Sequence, residues 1–261
     1  MKKLIFLIID ILLFSFLLNA ETTNLVFVYE DKQAFPVILG NGQNIDWDKP
    51  GASVECIKLL EKKLDIKITF KRFPWKRCLE IMLKSGEADG AFNASYKKER
   101  EDFGVYPKKN GLIDESRKFN RISYCFYKLK ESKITWDGKE IKNLSKKIGA
   151  PLGYSIVDDL KGMGYTVETS SSTANTLKEL FVGILDLVAA LETEGDYLIE
   201  KSPEFNKSIE KLNPPIVSKN YYLMLSHQFV NKNPQLAEKI WDALAEIRKK
   251  NFPNIIKKYY K

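Results

Sequence analysis

Two hydrophobic periods alternate along the first part of the chain. Asn24 to Tyr29 is a run of β-branched and aromatic residues and predicts a strand. Ala52 to Leu64 places Val54, Ile57, Leu59, Leu60 and Leu64 at helical spacing. Ile66 to Phe70 predicts a second strand. Trp75 to Lys84 is a second helix carried by Cys78, Leu79, Met82 and Leu83. Ala88 to Asn93 is a third strand, with Gly86 closing the helix before it. Between these lie a polar loop, Glu30 to Pro36, and a Gly/Asn/Asp-rich loop, Gly40 to Gly51.

The order β-α-β-α-β predicts an open α/β sheet with mostly parallel strands. Ligands of such sheets sit outside the carboxyl ends of the strands, where the strand order reverses. Topology alone brings Glu30 to Pro36, Phe73 to Trp75 and Asn93 to Arg100 to that edge. With strand order 2-1-3, right-handed crossovers place the two helices on opposite faces. Cys56 and Cys78 then lie on opposite sides of the sheet.

Tyr106 to Asn120 reads as a connection, and Arg121 to Lys128 as a strand. A second α/β series follows: strand Lys147 to Ala150, helix Tyr154 to Met163, strand Thr166 to Thr169, helix Ala174 to Val182, strand Leu185 to Ala190, and a helix starting at Glu194 to Ile199. Tyr221 to Ser226 is a strand after a Pro-Pro break. Pro234 to Lys250 is a long amphipathic helix, and Pro253 to Tyr260 a short one. Two similar units with a helical tail predict two lobes and a cleft.

Composition narrows the function. Lys2 and Lys3 precede the apolar run Leu4 to Leu18, and Ala20 offers a small residue for cleavage; the pattern is that of a secretory signal peptide over residues 1 to 20. The expected mature chain starts at Glu21 and is exported to the periplasm. The leader holds two Lys and one Asp, so +7 of the formal +8 stays on the mature chain. The Lys residues are spread without a basic block, which predicts a solvated face and no nucleic-acid partner. Cys56, Cys78 and Cys125 lack metal-ligand spacing and sit in apolar contexts; small buried thiols are expected, and an odd count leaves at least one free or paired between molecules. With His227 the single histidine, neither a His-based metal site nor a Ser-His-Asp triad is expected. No cofactor and no metal are indicated.

The stretch from Asn93 through Ser95 to Arg100 carries the candidate chemistry. A hydroxyl and a guanidinium five residues apart in sequence can converge on one carboxylate, which the planar Arg fork matches. The same arginine could instead pair with Glu99 or Glu101 on a solvated turn. Trp75, just after Pro74, is either a core aromatic or a cleft wall.

Taken together, Trp75-Lys-Arg-Cys-Leu, Ser85-Gly-Glu-Ala-Asp-Gly, Ser95 with Arg100, Asp102-Phe-Gly-Val-Tyr-Pro, Lys147-Ile-Gly-Ala-Pro-Leu-Gly-Tyr-Ser, Leu180-Phe-Val-Gly-Ile-Leu-Asp and Phe252-Pro-Asn-Ile-Ile-Lys-Lys-Tyr resemble the bacterial extracellular solute-binding proteins of family 3, receptors of polar amino acid importers. The resemblance implies a two-lobed type II periplasmic binding protein fold, with two mixed α/β sheets joined by two hinge strands. Lobe 1 would be residues 21 to 120 plus 217 to 261, and lobe 2 residues 121 to 216. It implies a monomer that captures a small carboxylate-bearing ligand, an amino acid or relative, and delivers it to an ABC permease. By the same resemblance Arg100 and Ser95 would hold the carboxylate beside Asn93, Tyr154 and Ser155 would meet it from lobe 2 at a helix N-terminus, and Phe35 or Tyr29 would cover the ligand with Trp75 close by. The family's ammonium-binding Asp falls at Leu191 here. Either Glu192 takes that role or the ligand has no α-amino group. A stand-alone sensory module is the alternative function, and an enzyme using Glu30, Asp31, Glu192 or Glu194 the less favoured one.

Overall fold

A computed structural model describes residues 22–145 and 147–260. The leader expected over residues 1–20 therefore lies outside the described residues. The strand β1 (Thr23–Glu30) pairs in parallel with β2 (Ile66–Phe73) along its whole length, Thr23 opposite Ile66 and Glu30 opposite Phe73. It pairs on its other side with β3 (Gly90–Ser95), also in parallel. The order is thus 2-1-3, the order under which right-handed crossovers place the two helices on opposite faces.

Helix α1 (Ala52–Leu64) buries Val54, Cys56, Ile57 and Leu60 on one face of this sheet. There it meets the long C-terminal helix α8 (Pro234–Lys250), which contributes Ala237, Ile240, Trp241, Leu244 and Ile247. The Trp241 indole N–H donates to the carbonyl of Leu223, so its polar edge is satisfied inside the core. The opposite face carries α2 (Trp75–Arg77), which continues to Leu83 with the wider π-helical winding rather than as the regular α-helix expected. Its apolar residues Cys78, Leu79, Met82 and Leu83 are buried all the same, in a cluster separate from that of Cys56. All three cysteines are buried and free.

Two long strands carry the chain between the wings of the sheet. The strand β4 (Asn120–Leu129) pairs over Asn120 to Tyr124 with β9 (Val217–Leu225), antiparallel. Past that point they diverge. β9 goes on to pair with β3, while Tyr124 to Tyr127 of β4 pair with β7 (Leu187–Leu191). The second wing continues through β5 (Ile148–Pro151) to β6 (Val167–Ser170), both parallel to their neighbours. Its helices are α3 (Ser155–Gly162), α4 (Thr173–Phe181) and α5 (Glu192–Lys201). A short helix α6 (Pro203–Ser208) and the strand β8 (Ile209–Lys211), which pairs with β4, complete it. The nine-stranded mixed sheet is therefore two α/β wings joined by β4 and β9.

The last helices return to the first wing. α7 (His227–Lys232) leads into α8, and α9 (Phe252–Lys257) ends in a turn where Tyr259 donates its hydroxyl to Glu55 at 2.6 Å and accepts from the N–H of Gly51 at 3.0 Å. Gly51 has φ +108°, and a Cβ there would lie 2.5 Å from the carbonyl oxygen of Val37. Only glycine fits this approach.

Candidate functional site

The carboxyl ends of β1 and β3 and the start of α2 open toward the N-terminus of α3, with a cavity between them. Glu30 is the last residue of β1 and lines this cavity, whereas Tyr29 points to the other face. Strand alternation is the cause. Tyr29 is fully buried, its ring stacked on Phe92 at 4.7 Å, and contributes to the core rather than to the cavity.

On β3 the ladder to β9 shifts register between Tyr222 and Met224, and Asn93 adopts φ +61°. Such bulges re-aim side chains. The Asn93 amide lines the cavity; its Oδ1 accepts from Ser53 Oγ at 3.0 Å and from Asn120 Nδ2 at 3.3 Å, and its buried Nδ2 has no acceptor.

Ser95 follows, 2% exposed, and Arg100 stands on the 3₁₀ turn Lys98–Asp102, 7% exposed. Arg100 donates through Nη1 to the carbonyl and hydroxyl oxygens of Ser95, both at 2.9 Å, and through Nη2 to the carbonyl of Gly153 at 3.1 Å. The solvated-turn alternative does not hold, because Glu101 is engaged by Lys98 at 2.6 Å and Lys108 at 3.0 Å. Trp75 lines the cavity, its ring centroid 5.8 Å from the guanidinium carbon of Arg100.

The second wing supplies Tyr154 and Ser155. The Tyr154 hydroxyl donates to Glu30 Oε2 at 2.6 Å. The Ser155 hydroxyl accepts from Ser95 at 3.0 Å and from Lys219 Nζ at 2.9 Å, and Lys219 also pairs with Asp159. Gly153, at φ +79°, brings its carbonyl up to Arg100; a Cβ there would lie 2.9 Å from the Lys76 side chain. Lys97 bridges the wings further out, 2.8 Å from Asp158.

Two further residues expected at the site are elsewhere. Phe35 bridges the wings beside the cavity: its ring stacks on Tyr197 at 4.0 Å and its N–H donates to Glu194 Oε2. Its loop neighbours Ala34, Val37 and Ile38 line the cavity in its place. Glu192 turns away, its carboxylate 2.8 Å from Lys211, while the preceding Leu191 lines the cavity. Because β7 runs directly into α5, residues 191 and 192 leave the strand end on different sides.

Sequence reasoning brought Glu30 to the crevice edge and named it as a candidate catalytic carboxylate, not as a ligand contact, and did not single out Tyr124 and Tyr221, which reach the cavity from the two joining strands. No local motif marks them; their position follows from the pairing of β4 with β9. Desolvation pushes the Glu30 carboxyl up to about 7, against the opposing hydrogen bond from Tyr154. Burial likewise pushes Glu194 up to about 8, against the N–H of Phe35. Among the described residues no group of His, Cys, Asp or Glu is arranged to hold a metal ion, and no helix is long and apolar enough to cross a membrane.

Two α/β wings, two joining strands and a cavity between them define the periplasmic binding protein fold, and solved structures of that fold superpose over most of the chain. An ancestral arginine-binding protein bound to glutamine matches with a TM-score of 0.69 and 20% identity, over 91% of this chain and 97% of that one. A histidine kinase sensor domain with similarity to periplasmic binding proteins matches with a TM-score of 0.73 and 16% identity, over 91% and 96%. A putative ABC-transporter binding component from Wolinella succinogenes, complexed with lysine, gives 0.69 and 12%, over 89% and 93%. None of the curated proteins matches in sequence. The chain belongs to the bacterial extracellular solute-binding proteins, family 3, whose family model matches residues 46–261.

Proposed function

We propose that this protein is a periplasmic receptor that captures a small carboxylate-bearing ligand, of amino acid size, and delivers it to an ABC importer. Lobe 1 is residues 21 to 120 with 217 to 261, lobe 2 is residues 121 to 216, and the leader is removed near Ala20. The observation that carries this reading is the junction of Arg100 and Ser95 with Gly153, Tyr154 and Ser155 around one cavity. A guanidinium carries more N–H donors than its bonds to Ser95 and Gly153 use, and its planar fork suits a carboxylate. The N-terminal N–H groups of α3 point the same way. Ligand contacts shared by both lobes favour the closed state, which is how such a receptor signals occupancy to a membrane partner. The similar solved structures bound to glutamine and to lysine support an amino acid or relative as ligand.

Isothermal titration of the purified protein against a panel of amino acids, keto acids and small dicarboxylates tests this. Arg100→Ala is expected to cost on the order of 2–5 kcal/mol of binding while the protein stays folded. Arg100→Lys also weakens binding, since a point charge does not replace the fork. Full-strength binding by Arg100→Ala would remove the assignment. Recovery of the ligand unchanged separates a receptor from an enzyme that uses Glu30 as acid or base. Loss of ligand uptake on gene deletion separates an importer from a sensory module.

A further inference from the structure

The polar equipment of the cavity is unevenly divided between donors and acceptors. Donors come from Arg100 and from Asn93, whose buried Nδ2 has no acceptor. Ser155 joins the wings at this end, its oxygen accepting from Ser95 and from Lys219. The remaining wall is largely apolar, with Ala34, Val37, Ile38, Phe92, Ile122 and Leu191. Among the described residues lining the cavity, Glu30 is the one carboxyl group, and its Oε2 already accepts from Tyr154.

A primary ammonium carries donors and no acceptor, and buried without a charged partner it is costly. Glu192 does not serve it, being held by Lys211 outside the cavity. Arg100 makes the polar end cationic, while Lys219 nearby is balanced by Asp159. We propose, resting on the receptor reading above, that the ligand is an α-keto acid or a similar carboxylic acid without an α-ammonium. Its carboxylate meets Arg100 and Ser95, its keto oxygen accepts from the Asn93 amide, and its hydrocarbon part lies against Leu191, Ile122 and Phe92.

The test is a matched series measured by titration calorimetry on the purified protein: pyruvate, ketoleucine and phenylpyruvate against alanine, leucine and phenylalanine. The best keto acid is expected to bind about tenfold or more tightly than the amino acid on the same carbon skeleton, because the cavity's donors are left unpaired by the ammonium. Arg100→Ala should abolish that binding. An amino acid binding as tightly as its keto acid, with the same sensitivity to Arg100→Ala, overturns the keto-acid assignment and leaves the receptor reading standing. Binding by neither series, or binding untouched by Arg100→Ala, overturns both.

Discussion

Tyr154 and Glu30 meet across the cleft, the phenolic hydroxyl of one wing donating to Oε2 of the other at 2.6 Å. Both residues line the cavity, so their bond ties ligand-site geometry to wing closure. Tyr154→Phe leaves the desolvated Glu30 carboxyl without its donor, a cost of about 1–3 kcal/mol. The expected result is a larger radius of gyration for the ligand-free variant in solution scattering, and weaker ligand binding. An unchanged radius would mean that the bond does not hold the wings together.

Glu30 and Glu194, the two glutamates that bond across the wings, both hold their protons more tightly than free glutamate, mainly through desolvation. A carboxyl whose affinity for its proton rises on folding binds more protons folded than unfolded, so stability falls as pH rises. The contribution is fully present below the unfolded value of about 4.5 and is lost through about 7 for Glu30 and about 8 for Glu194. Melting curves from about pH 5 to about pH 9 should show this decline, and the Glu30→Gln, Glu194→Gln double variant should flatten it. A decline of the same slope in the double variant would assign it to other groups.

Arg72 holds the long loop that walls the cavity. Its buried side chain donates to the carbonyls of Glu30, Leu39 and Asn44, each at 3.2 Å, and to Gly40 at 2.7 Å. Arg72→Leu leaves these oxygens without their donor, and a loss of roughly 2–4 kcal/mol is expected. Chemical unfolding measures the loss, and limited proteolysis should locate new cuts between residues 31 and 50. Arg72→Lys should recover little, since a single ammonium does not span the same carbonyls.

Burial pushes the thiols of Cys56 and Cys125 up to about 12, and that of Cys78 higher still. The thiolate is the reactive form. Ellman's reagent should therefore leave the folded protein unlabelled for as long as it stays folded, and label all three cysteines once denaturant is added. Rapid labelling of the folded protein would contradict the buried placement.

The sequence made the first wing readable because its elements are local. The helical spacing of Val54, Ile57 and Leu60 coincides with α1, and with strand order 2-1-3 the opposite-face placement of Cys56 and Cys78 follows from crossover handedness. Asn93, Ser95, Trp75 and Arg100 reached the cavity edge because strand ends must. Phases of one residue were harder: Tyr29 against Glu30 and Leu191 against Glu192 depend on which face a strand presents at its last residue. Phe35 depends on the path of an irregular loop fixed by Arg72, which no period encodes. The pairing of β4 with β9, and with it Tyr124 and Tyr221, joins segments far apart in the chain and has no local signature.

That pairing also orders events in time. As the chain emerges from the ribosome, β3 presents an open edge until Val217–Leu225 arrives to cover it. The helix that buries Trp241 against the same wing comes later still. The second wing, by contrast, is one unbroken stretch and can close its own strands first. The wing made first is thus finished last, which keeps the nascent chain incompletely folded until its end is synthesised.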